Sequence, residues 1–225
     1  MKKSKAFTKS FDLKIKYSTM FWLFFFGSIL GFIFEGIWQI MKKGHWENHS
    51  STILGPFCII YGIAAMLLYI ISKQLGKEKT IVLFVIFAVL GSALEFFASL
   101  FQELVFGSIS WNYKKQFLNI GGRISLKMTV IWGLLGVMFT KLFYPLFNHM
   151  FSRMQGPVWN FICILTTVFM VFNLTVTSIA VLRWGERVTQ DEPPSNSVEA
   201  FFDENYDDGA MKGIFTNMKF VGNEE

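Results

Sequence analysis

The sequence predicts an all-α, polytopic transmembrane helical bundle of about five spans with an acidic C-terminal tail. Three observations lead there. Of 225 residues, 52% are hydrophobic and 18% aromatic, more than a soluble core of this size needs. Five apolar stretches each reach the roughly 20 residues that cross a bilayer. The connections between them are short and polar, which leaves no room for a second soluble domain.

Residues 1–17 form a basic N-terminal segment, in which Lys2, Lys3, Lys5, Lys9, Lys14 and Lys16 precede the first span. Such lysine-rich flanks stay on the cytoplasmic side, and they can also lie against anionic headgroups. The transmembrane domain covers 18–183, with spans at about 18–41, 53–72, 80–104, 126–144 and 158–182. The first apolar run is too long for a secretory signal and no small-residue cleavage site follows it, so it reads as a retained helix. Residues 184–225 hold ten of the 16 acidic residues and form an acidic, partly flexible tail. Phe201 and Phe202 are its candidate anchors. The run Asp203, Glu204, Asn205, Tyr206, Asp207, Asp208, Gly209 faintly resembles a calcium loop, but its glycine falls one position late and Ile214 stands where the closing glutamate belongs.

The net charge of +5 comes from segregated clusters, not a basic surface, so no nucleic-acid partner is expected. The lipid bilayer is the expected partner. There is no phosphate-binding glycine loop ending in Gly-Lys-Ser/Thr and no metalloprotease or serine-nucleophile motif. His45, His49 and His149 lack metal-ligand spacing. No metal and no cofactor are predicted. Cys58 and Cys163 fall at opposite membrane depths, so a disulfide is not expected.

The candidate site follows from carboxylates in apolar runs. Glu35 and Glu95 lie within spans one and three, where an ionised group costs roughly 3 kcal/mol on insertion scales and usually marks a pathway or site. Alternating topology brings the end of span one, the start of span two, the end of span three and the start of span four to one membrane side. Glu35 thereby shares a level with Tyr61, Glu95, Gln102 and Glu103, and with Trp111, Tyr113, Asn119 and Arg123 of the following loop. Glu95 and Gln102 share a helical face, with Glu103 rotated from Glu95 by about 80°. Arg123 is the available cation, and two carboxylates near it are most stable if one is protonated or if the arginine bridges both. Trp132 points either to this cavity or to lipid. Gly27 and Gly31, and Gly133 and Gly136, are expected at close helix contacts.

The ordered set Gly55, Pro56, Phe57, Cys58, Ile59, Ile60, Tyr61, Gly62, then Leu94, Glu95, Phe96 with Glu103, then Trp111, Asn112, Tyr113, then Asn119 to Leu126 with Trp132 and Gly133, resembles the ABC-transporter type IV family of bacterial membrane proteins, also called ABC transporter permeases. The resemblance covers about residues 20–150, leaving the last span and the tail outside. Asn112 stands where the family usually has aspartate, Ser125 where it has cysteine and Ile59 where proline is common.

What the resemblance implies is a bacterial plasma-membrane, multi-pass transport protein: a permease-like subunit with a separate ATPase subunit as partner and an unknown substrate. The residues themselves leave two other readings open. One is a membrane-embedded enzyme acting on a lipid or cell-wall precursor, with a glutamate as acid or base and Arg123 on a phosphate. The other is an assembly or regulatory protein whose polar cluster only holds the fold.

Overall fold

The computed structural model describes residues 15–221, so residues 1–14 of the expected basic segment lie outside the described residues. Apolar runs interrupted by glycine at helical spacing set the architecture. Tyr17–Lys43 forms α1, Ile59–Leu75 α2 and Thr80–Phe106 α3. Leu126–Met138 forms α4, which continues through a π-helical turn at Phe139–Phe143 into α5, Tyr144–Arg153; α6 then runs over Pro157–Gln190. α1, α3, the continuous 126–153 helix and α6 are each long and apolar enough to cross a membrane, and α2 is a shorter apolar helix. The chain is a multi-pass helical membrane protein.

Two tight hairpins make up the bundle, α1 with α2 and α3 with α4, while α2 also faces α3 and α6 leans on α1. Glycines on the facing sides allow the close approach expected of small residues in membrane helices. Gly27 abuts Ala65 and Gly31 lies flat against the Tyr61 ring. In the second hairpin Gly91 receives Trp132, Gly133 receives Phe84 and Gly136 receives Phe87. Away from these seams Val85, Val89, Phe97 and Phe101 of α3, and Phe161, Ile164, Leu165 and Val168 of α6, are exposed, as a lipid-facing surface requires. A side chain at Gly136 would overlap the Phe87 ring, and such overpacking costs about 3 kcal/mol at the upper end of the usual range. Gly136→Val should therefore lower the melting temperature of the detergent-purified protein by several degrees. Gly213→Ala, where a Cβ meets open space, should leave it unchanged or slightly raised; equal melting of Gly136→Val and wild type would disprove the tight α3–α4 contact.

The helix ends follow from local chemistry. α1 stops at Gly44 (φ 80°), whose N–H reaches the Ile40 carbonyl, and α3 at Gly107 (φ 60°), whose N–H reaches Glu103. Both are left-handed glycine caps. The π turn precedes Pro145, which cannot donate to the carbonyl one turn back. There the Thr140 hydroxyl contacts the Gly136 carbonyl and the Ser72 hydroxyl, a local adjustment typical of kinked membrane helices.

The stretch expected to open span two at residue 53 is not helical before Ile59. With 17 residues, α2 is only about 25 Å long, short of the hydrocarbon thickness of about 30 Å. The chain makes up the difference by dipping back into the bundle as an irregular loop. Cys58 N–H donates to the Ser28 carbonyl at 2.9 Å, about 22 Å along α1 from its end. Non-helical backbone at that depth persists only where protein satisfies it. Asn173, fully buried on α6, does so by donating to the Leu54 carbonyl at 2.6 Å and accepting from Leu54 N–H at 3.1 Å. Thr177 accepts from Ile53 N–H at 3.0 Å.

α6 continues beyond 182 and leads to α7, Ser197–Asn205, and α8, Asp208–Ile214. Strand β2, Lys219–Phe220, pairs antiparallel with β1, Ser108–Ile109, and His49 bridges to Phe215. The C-terminal segment thus sits at the same end of the bundle as the α1–α2 and α3–α4 loops, the relation an odd number of passages creates. Phe202 is buried in a small core with Trp184, Met211, Phe215 and Phe220, whereas Phe201 is exposed.

The tail's acids face arginines of α6. Asp203 accepts from Arg183 at 2.7 and 2.9 Å and from Arg187 at 2.5 Å, and Asp208 accepts from Arg187 at 3.1 Å. The hydrogen bonds from Arg183, more than those from Arg187, hold the Asp203 carboxyl at about 2, against an ordinary 3.8. Because the folded value lies below the unfolded one, this clamp contributes fully above pH 4 and weakens as pH falls from about 4 to about 2, by about 2 kcal/mol in all. Pepsin cleavage within 191–221, normalised to an unfolded peptide at each pH, should accelerate across that interval. A flat normalised rate would mean that the clamp does not hold the segment.

Candidate functional site

At the end of the bundle shared by these loops, five of the residues singled out from sequence fall into two hydrogen-bonded groups, which together make up the candidate centre. Glu95 faces inward from α3 and is only 4% exposed. Its two carboxylate oxygens accept from Tyr113 Oη at 2.8 Å and from Trp132 Nε1 at 2.8 Å. Trp132 is placed by Gly91, whose missing side chain leaves room for the indole, so the ring points into the bundle. On the neighbouring hairpin the Tyr61 hydroxyl donates to Glu35, with the Tyr61 ring laid over Gly31. Glu35 on α1 and Glu95 on α3 thus each have a tyrosine donor, on neighbouring hairpins of the bundle.

Arg123 does not bridge Glu35 and Glu95. Its guanidinium pairs with Glu103 at 2.7 Å, donates to Ser99 at 3.1 Å and lies 5.9 Å from the centre of the Phe96 ring. Glu103 stands two turns beyond Glu95 toward the helix end and its side chain is 36% exposed, so pairing there leaves more water around both charges than pairing at Glu95 would. Glu95 is consequently served by neutral donors alone among the described residues.

The remaining candidates build the roof over this centre, the loop between α3 and α4. Trp111 Nε1 donates to the Arg123 carbonyl at 3.1 Å, and Gln102 donates to Ser110 and Ser108 at 2.9 and 3.2 Å. Asn119 donates to the Gln116 and Lys114 carbonyls and accepts from Gly122 N–H. Gly121 and Gly122 take φ of 59° and 71°, a conformation that glycine adopts without strain. Ser125 caps α4 by accepting from Met128 N–H and donates to Gln116. These bonds hold Tyr113 over Glu95, so Gln102, Trp111 and Asn119 act on the centre only through the loop.

Sequence reasoning missed Ser99, Asn173 and Arg183. Asn173 carried a usable signal, an amide in the middle of an apolar span. Arg183 and Arg187 sit one helical turn apart just ahead of an acidic segment, a spacing that places both cations on one face.

The fold and this centre define a polytopic helical membrane protein with two acids set at one level of its bundle. A family model described as "Putative ABC-transporter type IV" matches residues 22–178, well over half of the chain, and the protein belongs to that family. The match extends past the 20–150 expected from the motifs and takes in most of the last span. No curated protein and no solved structure matches the chain.

Proposed function

We propose that this protein is a permease-type transport subunit of a bacterial plasma membrane, with its N-terminus cytoplasmic and the Glu35–Tyr61 and Glu95–Tyr113–Trp132 groups as its substrate or coupling site near the outer face. The observation that carries this reading is the buried Glu95 carboxylate, held among the described residues by neutral donors alone, with a second acid, Glu35, on the neighbouring hairpin. A low-dielectric interior disfavours two uncompensated negative charges. A site of that kind takes up positive charge, as a proton or on a solute, and gives it up again when the bundle rearranges. The family to which the chain belongs is named for transport, in accord with this reading.

The power source would be a separate ATPase docked at the opposite end, where the turns at residues 76–79 and 154–156 and the exposed face of α5 lie. Gentle extraction of the tagged chain from its native membrane, followed by mass spectrometry, tests the pairing. A stoichiometric nucleotide-binding subunit is expected. Recovery of the chain alone, from extracts in which known transporter complexes stay intact, would remove the ATPase from the proposal.

A further inference from the structure

A mostly apolar groove opens on the outside of the second hairpin, about 420 Å³ in volume and lined by Phe117, Leu126, Lys127, Val130 and Ile131. Its polarity runs along the bundle. Lys127 stands in the first turn of α4, at the water end, and Val130 and Ile131 lie about one turn deeper. Phe117 forms the other wall from the loop, where it is 76% exposed. It is fixed there because its carbonyl accepts from Leu126 N–H at 3.3 Å and neighbouring Gln116 accepts from Ser125 at 2.7 Å.

The charge along the stretch of chain that lines this groove is one-sided. From Gly107 to Ile131 there is no aspartate or glutamate, while Lys114, Lys115, Arg123 and Lys127 are present. Arg123 is taken by Glu103. Among the described residues none of the three lysines makes an ion pair, and all three are exposed. An unpaired Lys127 at the interfacial end of an apolar slot, in a loop-and-helix segment otherwise rich in lysine, matches an anionic headgroup above an acyl chain in both charge and direction.

We infer that this groove is a binding site for one anionic phospholipid, its phosphate on Lys127 and one acyl chain along Phe117, Val130 and Ile131. The inference stands apart from the transport reading, since it uses neither Glu35 nor Glu95. It gives the exposed loop tip a role: a lipid seated there braces the segment that holds Tyr113 over Glu95.

The test is to reconstitute the full chain in nanodiscs of equal phosphatidylglycerol and phosphatidylcholine, then identify lipids retained in native mass spectrometry. Wild type should hold one phosphatidylglycerol in preference to phosphatidylcholine. Losing one lysine from the interface should cut that preference about fivefold, so Lys127→Ala should reduce it by that order. Val130→Trp, which fills the slot and leaves every lysine in place, should abolish the tightly held lipid. Equal retention of the two lipids by wild type would overturn the inference whatever the variants do, as would a preference that survives both substitutions. A wild-type mass doubled by a second copy, reverting to one copy in Val130→Trp, would also overturn it by showing that the groove is a contact between chains.

Discussion

Replacing Arg183 with alanine is expected to release the C-terminal segment from the end of α6. Arg183 is 3% exposed, and its guanidinium donates to both oxygens of Asp203, to Glu186 at 3.2 Å and to the Glu192 carbonyl at 2.8 Å. Truncation removes the charge that gathers Glu186, Glu199 and Asp203 and leaves Arg187 as the remaining cation of the cluster. Breaking one side of a buried pair costs about 3–5 kcal/mol. The lower end, about 3 kcal/mol, applies here, because Asp203 keeps some water and its contact with Arg187. That is a rise of about 100-fold in the open population. Tryptic cleavage after Lys212 and Lys219 should accelerate by the same order in Arg183→Ala and by less in Arg183→Lys, which keeps the charge but loses the planar fork. If cleavage stayed at the wild-type rate, the apolar contacts of Trp184, Met211 and Phe220 would suffice to dock the segment, and the ion cluster would be incidental to it.

This cluster also marks where the sequence stopped being readable. Apolar run lengths reveal helices because membrane helices bury their backbone polar groups within themselves, so each span announces itself locally. Segment 191–221 does not. Its order depends on Arg183 and Arg187, on β1 over a hundred residues away, and on His49 and Asn48 of the first loop, and its acidic composition alone reads as solvated. The same limit applies to the start of span two. Residues 53–58 are apolar enough to look helical, yet the loop is held irregular by Asn173 and Thr177, partners that lie more than a hundred positions along the chain. Ile59 is the first residue of α2, a place where even proline is tolerated because it needs no helical donor.

The intramembrane centre was more legible, since a carboxylate in an apolar run is visible without any partner. Topology parity alone placed Glu35 and Glu95 at one level, and the loop residues with them. Partner choice was not legible. The cation nearest in level, Arg123, was expected at the two acids, and it chose Glu103 because a site near the helix end costs less dehydration. Tyr113, an ordinary interfacial aromatic by composition, and Trp132, which by sequence could face either the cavity or lipid, turned out to be the donors to Glu95.

Two substitutions at Glu95 separate what that carboxylate does for the fold from what it does for function. In Glu95→Ala the Trp132 N–H and Tyr113 O–H lose their acceptor inside the bundle. An orphaned buried donor costs about 1–3 kcal/mol, and the cavity left by the missing side chain adds to it. Loss of about 4 kcal/mol is therefore expected, seen as a fall in monodisperse protein on fluorescence-detected size exclusion and a lower melting temperature. In Glu95→Gln the side-chain oxygen still accepts from Trp132 and the amide donates to the Tyr113 oxygen, so both contacts survive and the melting temperature should stay within a few degrees of wild type. What Gln cannot do is carry negative charge or exchange a proton. If the centre couples transport, a Glu95→Gln protein should assemble normally and fail in its native membrane, and Glu35→Gln, which keeps an acceptor for the Tyr61 hydroxyl, should behave alike. Should Glu95→Gln instead be lost from the membrane as completely as Glu95→Ala, the charge itself would be holding the helices together, and the coupling role would fall.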